Sequence, residues 1–134
     1  MILVDAGPLI ALVDADDQFH ASCVDAFMRM KEPLGTVWPA LTEAMYLLAD
    51  LPAGQDAVWE MLARNVVRML PLDESDIPRM RALMRKYANR PMDLADAALV
   101  TVAERDNIRK IFTIDQRDFA VYRLHGRSRF TIIP

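Results

Sequence analysis

The chain has 134 residues, 53% apolar and 26% charged, with a formal net charge of −3 and a single cysteine. That length suits one globular domain, residues 1–134, with a self-sufficient core, and the composition excludes repeat, collagenous and disordered classes. Cys23 alone can form neither an intrachain disulfide nor a cysteine zinc site, which fits a reducing, cytoplasmic compartment.

The apolar opening Met1 to Val4 lacks a basic flank and is interrupted by Asp5, so no export signal is expected. No uncharged apolar run approaches the ~18 residues of a membrane span, so no membrane association is expected either. The charge is uneven. Residues 1–60 hold ten acidic and two basic side chains, whereas residues 61–134 hold nine acidic and fourteen basic ones.

Met1 to Val4 reads as a buried strand, and Pro8 suits the first position of a following helix. Residues 18–31 carry Phe19, Val24, Phe27, Met28 and Met30 among polar neighbours, an amphipathic helix stopped by Pro33-Leu34-Gly35. Thr36-Val37-Trp38 is a second strand, Pro39 opens a helix to about Asp50, and Leu51 to Gly54 breaks it before another helix at about 55–64. Val66 to Leu70 is a third strand, and Asp73 an N-cap with Asp76 at the third helical position of a basic helix. Asn89-Arg90-Pro91 ends that helix. Asp93 to Arg105 forms the next, Ile111 to Ile114 is a fourth strand ended by Asp115, and Phe130 to Ile133 is a fifth. Strands alternating with helices predict an α/β fold: a mainly parallel sheet of four to five strands covered on both faces.

Ligand sites in such sheets lie beyond the carboxyl ends of the strands. Asp5 and Asp115 each follow an apolar strand and project there, either as ligands or as turn caps. Asp96 shares a helical face with Leu99, Val100 and Ala103, an inward stripe on which an ionised carboxylate is costly without a cation or donors. Glu43 repeats the pattern with Pro39, Tyr46 and Leu47. Asp93 reads first as the N-cap of its helix, and Asp118 either caps the next turn or touches the same site. Asp14, Asp16 and Asp17 read as a solvated run, and His20 and His125 as surface or packing residues.

Carboxylates gathered in one crevice raise one another's pKa unless a cation binds, and all-oxygen ligation selects Mg²⁺ or Mn²⁺ over zinc. Such an ion lowers the pKa of a water and stabilises displacement at a phosphodiester.

Four ordered blocks carry a family resemblance: Val4-Asp5-Ala6-Gly7-Pro8-Leu9, Pro39-Ala40-Leu41-Thr42-Glu43-Ala44, Met92-Asp93-Leu94-Ala95-Asp96-Ala97 and Phe112-Thr113-Ile114-Asp115-Gln116-Arg117-Asp118-Phe119. Together they resemble PIN-domain ribonucleases, in particular VapC-type toxins of toxin–antitoxin pairs. The resemblance implies a PIN-like three-layer α/β/α domain that hydrolyses structured RNA, such as tRNA or rRNA, with Mg²⁺ or Mn²⁺. It places the metal-binding catalytic acids at Asp5, Glu43, Asp96 and Asp115, with Asp93, Asp118 and Thr113 as accessories. It also implies homodimerisation and a cognate antitoxin that covers the site, with DNA reached only through that antitoxin.

An acidic crevice repels phosphates, so RNA binding falls to the metal and to basic side chains on the rim. Candidates are Arg79, Arg81, Arg85, Lys86 and Arg90, then Arg117, Arg123, Arg127 and Arg129, each equally readable as a solvated face or surface ion pair. Three alternatives stay open: a non-catalytic RNA- or partner-binding domain of this fold, a housekeeping RNA-processing nuclease, and a phosphatase or phosphoacceptor domain. Gly7 in place of a second aspartate argues against the last.

Overall fold

The computed structural model describes residues 1–134. Strand β1 (Ile2–Val4) leads into α1 (Ala6–Val13), α2 (His20–Arg29), β2 (Leu34–Thr36), α3 (Trp38–Leu47), α4 (Pro52–Ala63) and β3 (Val67–Met69). A single 3₁₀ turn, Glu74–Asp76, then precedes α5 (Ile77–Lys86), α6 (Leu94–Asp106), β4 (Lys110–Phe112) and α7 (Gln116–Val121). The chain finishes with β5 (Arg123–Leu124), β6 (Ser128–Arg129) and β7 (Thr131–Ile133).

The central sheet runs β3-β2-β1-β4-β7 with every neighbour parallel, and β5 and β6 form a separate antiparallel hairpin. Side chains alternate across the sheet. Ile2, Val4 and Phe112 pack on one face with Leu9 of α1 and Cys23 and Ala26 of α2, while Leu3 and Ile111 meet Leu83 of α5 and Leu99 and Val102 of α6 on the other. The three-layer α/β/α expectation therefore holds. No helix is long and apolar enough to cross a membrane.

Several boundaries differ from the sequence reading. The second strand is Leu34–Thr36, because parallel pairing of Ile2 with Leu34 and Leu3 with Gly35 recruits residues read as a break, and Trp38 already opens α3. Gly35 leaves room there for Leu70, whose terminal methyl would stand 2.8 Å from a Cβ and would have to shift. Pro8 lies inside the first turn of α1, and Pro52 begins α4; first-turn residues need no intrahelical N–H bond, so proline is tolerated at both. The hairpin β5–β6 and the short helix α7 are elements that the sequence reading did not assign.

Asp73 caps its turn as expected, accepting from the Ser75 N–H at 2.8 Å while Asp76 returns a bond to the Asp73 N–H. One half-buried ion pair ties α5, α6 and the hairpin together. Arg79 donates to both Glu104 oxygens, at 2.6 and 2.8 Å, and the His125 N–H donates to the same carboxylate. Burial works to raise the Glu104 carboxyl, but these donors outweigh it and hold it below its ordinary value. Glu104→Ala leaves Arg79 and the His125 N–H without partners, and is expected to cost about 1–3 kcal/mol in urea unfolding.

Candidate functional site

Strand order reverses between β1 and β4, and a crevice of about 490 Å³ opens at the carboxyl end of that junction. Asp5, Glu43, Asp93, Asp96 and Asp115 all line it. They arrive from the end of β1, from α3, from the N-terminus of α6 and from the loop after β4. No Lys or Arg lines this crevice.

Asp5 is buried and doubly bonded: one oxygen accepts from the Ala6 N–H at 2.8 Å, the other from Thr113 Oγ1 at 3.0 Å. Thr113 Oγ1 also accepts from the Asp115 N–H at 3.0 Å, so this hydroxyl joins the first and last acids of the set. Because β4 ends at Phe112, paired with Val4, the position equivalent to Asp5 is Thr113 and not Asp115 as the sequence suggested. Asp115 sits two residues further out, exposed at the mouth. Gly7 allows α1 to approach this loop closely; a Cβ there would stand 2.4 Å from Ile114 Cγ1.

Asp96 is buried at the start of α6, and its carboxylate accepts one hydrogen bond, from Tyr122 Oη at 2.8 Å. Tyr122 is itself fully buried, held edge-on by Tyr87 and Phe119 at ring separations of 5.0 and 5.2 Å. Burial, with Asp93 and Asp5 adding negative charge, pushes Asp96 up to about 8 despite the Tyr122 hydroxyl. Burial likewise pushes Asp5 up to about 6, against the Ala6 and Thr113 donors. Glu43 is raised by partial burial and by Asp93 and Asp115, and Asp115 by partial burial and by Asp118. These are the shifts of carboxyl groups taken out of water first and pressed further by neighbouring acids.

Asp93 caps α6 as expected, its Oδ1 accepting from the Asp96 N–H at 2.8 Å. Asp118 does not line the crevice. It pairs with Arg90 at 2.8 Å and presses on Asp115 from outside. Glu43 reaches the crevice for a different reason from the one inferred: α3 buries Ala40, Leu41 and Ala44, while Tyr46 and Leu47 are largely exposed, so Glu43 lies off the buried face. The acidic run is also corrected. Asp14 and Asp17 are half-buried and line the crevice, accepting turn hydrogen bonds from the Asp16 and Phe19 N–H groups, and only Asp16 is a solvated residue.

The donor set is all oxygen and all anionic, which suits a hard divalent cation. No three of these groups close into a chelating cluster. That is compatible with Mg²⁺ in particular, which keeps several waters and takes one or two carboxylates. Tyr122 is the residue the sequence missed. The spacing of Phe119 and Tyr122 signals an apolar face, but nothing local signals which buried acid the hydroxyl meets.

Two further cavities share walls with the crevice. One, about 570 Å³, has Trp38, Tyr46 and Leu94 beside Glu43 and Asp93. The other, about 470 Å³, has Ser22, Gln116 and Arg117 beside Ile114 and Asp115. Of the proposed rim arginines, three are engaged elsewhere: Arg79 by Glu104, Arg90 by Asp118, and Arg123 by the carbonyls of Ala120, Val121 and Tyr122.

Comparison with known proteins converges on one group. The model of the PIN domain family matches residues 2–124. The chain is 30% identical to ribonuclease VapC26 of Mycobacterium tuberculosis (strain ATCC 25618 / H37Rv) over 136 residues, covering 99% of this chain and all of that protein. Its fold is similar to that of M. tuberculosis VapC20, a sarcin–ricin loop cleaving toxin, with a TM-score of 0.79, 19% identity, and 87% of this chain and 91% of that one covered. It is also similar to a chain of a toxin–antitoxin complex from Klebsiella pneumoniae, with a TM-score of 0.69, 17% identity, and coverage of 90% and 92%.

Proposed function

The chain belongs to the PIN-domain family, and from that premise we propose that it is a metal-dependent endoribonuclease of the VapC toxin type. The observation that carries the proposal is the convergence of Asp5, Glu43, Asp96 and Asp115 from four separate segments on one crevice that contains no cation of its own. Charge of this density at a strand switch point is costly in an idle protein and suits a site that takes a divalent ion.

In this reading Asp5, Glu43, Asp96 and Asp115 would hold Mg²⁺ or Mn²⁺, one or two of them directly and the others through the ion's waters. Thr113 and the α1 N-terminus fix the Asp5 carboxylate, Asp93 fixes the start of α6, and Asp118 keeps Arg90 out of the crevice. When bound, the ion supplies a water of lowered pKa and offsets charge at the phosphate. Hydrolysis would form a phosphorus–oxygen bond from a water molecule and break the one to the leaving ribose oxygen, which would take a proton. Structured RNA, tRNA or rRNA, is the proposed substrate, supported by the similarity in fold to VapC20, a sarcin–ricin loop cleaving toxin.

The proposed partners are a cognate antitoxin, through which alone the protein meets DNA, and a second copy of this chain. The exposed Trp38, Tyr46, Leu47 and Leu94, beside the crevice, are the apolar surface proposed for the homodimer.

The test is RNA cleavage by purified, antitoxin-free protein with Mg²⁺ or Mn²⁺. Activity that persists undiminished in excess EDTA overturns the metal-dependent reading. Growth arrest on expression, reversed by co-expressing a neighbouring small gene, separates a toxin from a housekeeping nuclease.

Tyr122→Phe isolates the hydroxyl that holds Asp96, since the aromatic packing is kept. Mn²⁺ affinity, read by calorimetry, is expected to fall about tenfold, the usual effect of losing a hydrogen bond behind a ligand, with about 1 kcal/mol of stability lost.

A further inference from the structure

We infer that Arg117, with Ser22 and Gln116, forms a phosphate subsite of the RNA track immediately beside Asp115, a placement that rests on the ribonuclease reading. An RNA strand crossing the crevice presents one phosphate per nucleotide, and the seven acids that line the crevice repel each of them. The metal offsets this only at the phosphate it touches. The neighbouring phosphates need a cation that is close, uncommitted and not drawn into the acids themselves.

The chain has sixteen Lys and Arg residues, and seven of them are already engaged. Six are in ion pairs: Arg29 with Asp25, Arg64 with Glu60, Arg79 with Glu104, Arg90 with Asp118, Arg105 with Asp76, and Lys110 with Glu32. The seventh, Arg123, donates to main-chain carbonyls. Among the nine that remain, Arg117 alone lines the crevice or either cavity that shares a wall with it. Arg117 is exposed, two residues after Asp115 in the first turn of α7, and has no acidic partner.

The cavity it lines is chemically unlike its counterpart across the crevice. On the Glu43 and Asp93 side the wall is mainly aromatic and aliphatic, with Thr42 but no cation; on the Asp115 side it carries a guanidinium beside a serine hydroxyl. Ser22 Oγ lies at an exposed position, donating to the Phe19 carbonyl at 3.1 Å with its lone pairs free, and Gln116 Nε2 is held by the Pro134 carbonyl at 2.9 Å, which fixes that wall. A guanidinium with no intramolecular anion, on a fixed wall, is suited to a phosphate oxygen pair. The strand thus meets this cation on one side of the cleaved bond only.

The experiment measures binding of a fluorescein-labelled poly(U) oligonucleotide by anisotropy, over a range of KCl, with Asp96→Asn as the non-cleaving background. Adding Arg117→Ala is expected to weaken binding roughly tenfold and to lower the slope of log K against log salt by about 0.7, the loss of one phosphate contact on a single strand. Arg117→Lys is expected to restore the slope and only part of the affinity, because the charge returns without the planar pair of donors. Thermal melting monitors folding, which Arg117 does not support through any ion pair. An Arg117→Ala protein with unchanged affinity and slope overturns the subsite, as does one that loses binding to an acidic protein partner while RNA binding stays intact. A wild-type chain that binds RNA through Arg117 yet cleaves none keeps the subsite and overturns the ribonuclease reading; cleavage indifferent to Arg117 does the reverse.

Discussion

Asp96→Asn is expected to melt several degrees above the parent protein and to lose RNA cleavage by at least about 10²-fold. The two effects have one origin. Asp96 is 7% exposed, accepts a single hydrogen bond from Tyr122, and is pushed by burial up to about 8. A carboxylate so placed destabilises the metal-free fold at neutral pH. An amide of the same shape keeps the bond from Tyr122, needs neither a buried charge nor a proton taken up at neutral pH, and is expected to return about 1–3 kcal/mol. The same change removes a ligand that the proposed ion needs. Stability rising while activity falls marks a group retained for chemistry rather than for folding. A variant that melts lower than the parent, or that cleaves at the parent rate, contradicts the assignment.

The second large effect is the response of stability to pH and metal. Asp5, at about 6, and Asp96, at about 8, both bind a proton more tightly in the fold than at their ordinary value of 3.8. The folded protein therefore holds more protons than the unfolded chain between pH 4 and 8, and its stability falls as pH rises through that window. The melting temperature of the metal-free protein is expected to decline from about pH 5 to pH 8. Glu104 acts in the opposite sense, since its lowered carboxyl is lost only in acid. Mg²⁺ or Mn²⁺ at about a hundred times its dissociation constant is expected to add roughly 2.7 kcal/mol. The gain is larger at pH 8 than at pH 6, where the ion must displace protons first. Scanning calorimetry at both pH values with and without Mn²⁺ reads it directly. A melting temperature that rises from pH 5 to pH 8 without metal, or a metal effect independent of pH, contradicts the shared-anion site.

The local signals were the legible ones. Alternating apolar runs and helical stripes carry the five strands of a mainly parallel sheet, though not their order across it, and Asp73 and Asp93 are readable as caps because capping is a matter of a few adjacent residues. Asp96 stands out because a charge on an apolar stripe has no local explanation, and burial bears that out. The boundaries of β2 and β4 were not legible. Parallel pairing is long-range, so which three residues of an apolar run join the ladder depends on the neighbouring strand. Short elements such as the β5–β6 hairpin leave no periodicity to read.

The net charge of −3, which alone disfavours RNA, changes its meaning once positions are known. Setting aside Asp5, Glu43, Asp96 and Asp115 moves the tally to +1, so the excess of negative charge lies largely in one crevice.

What the sequence determined by itself is the layered α/β fold, the family, and the candidate acids, because strand and helix periods and short ordered motifs are carried by neighbouring residues. Tertiary structure alone decided which acids share an enclosure and what holds each one. It turned Asp14 and Asp17 inward, paired Asp118 with Arg90, set Thr113 level with Asp5, and brought Tyr122 to Asp96 across twenty-five intervening residues. Those relations depend on the packing of α6 and α7 against the sheet. No spacing along the chain encodes where two side chains on separate elements will meet.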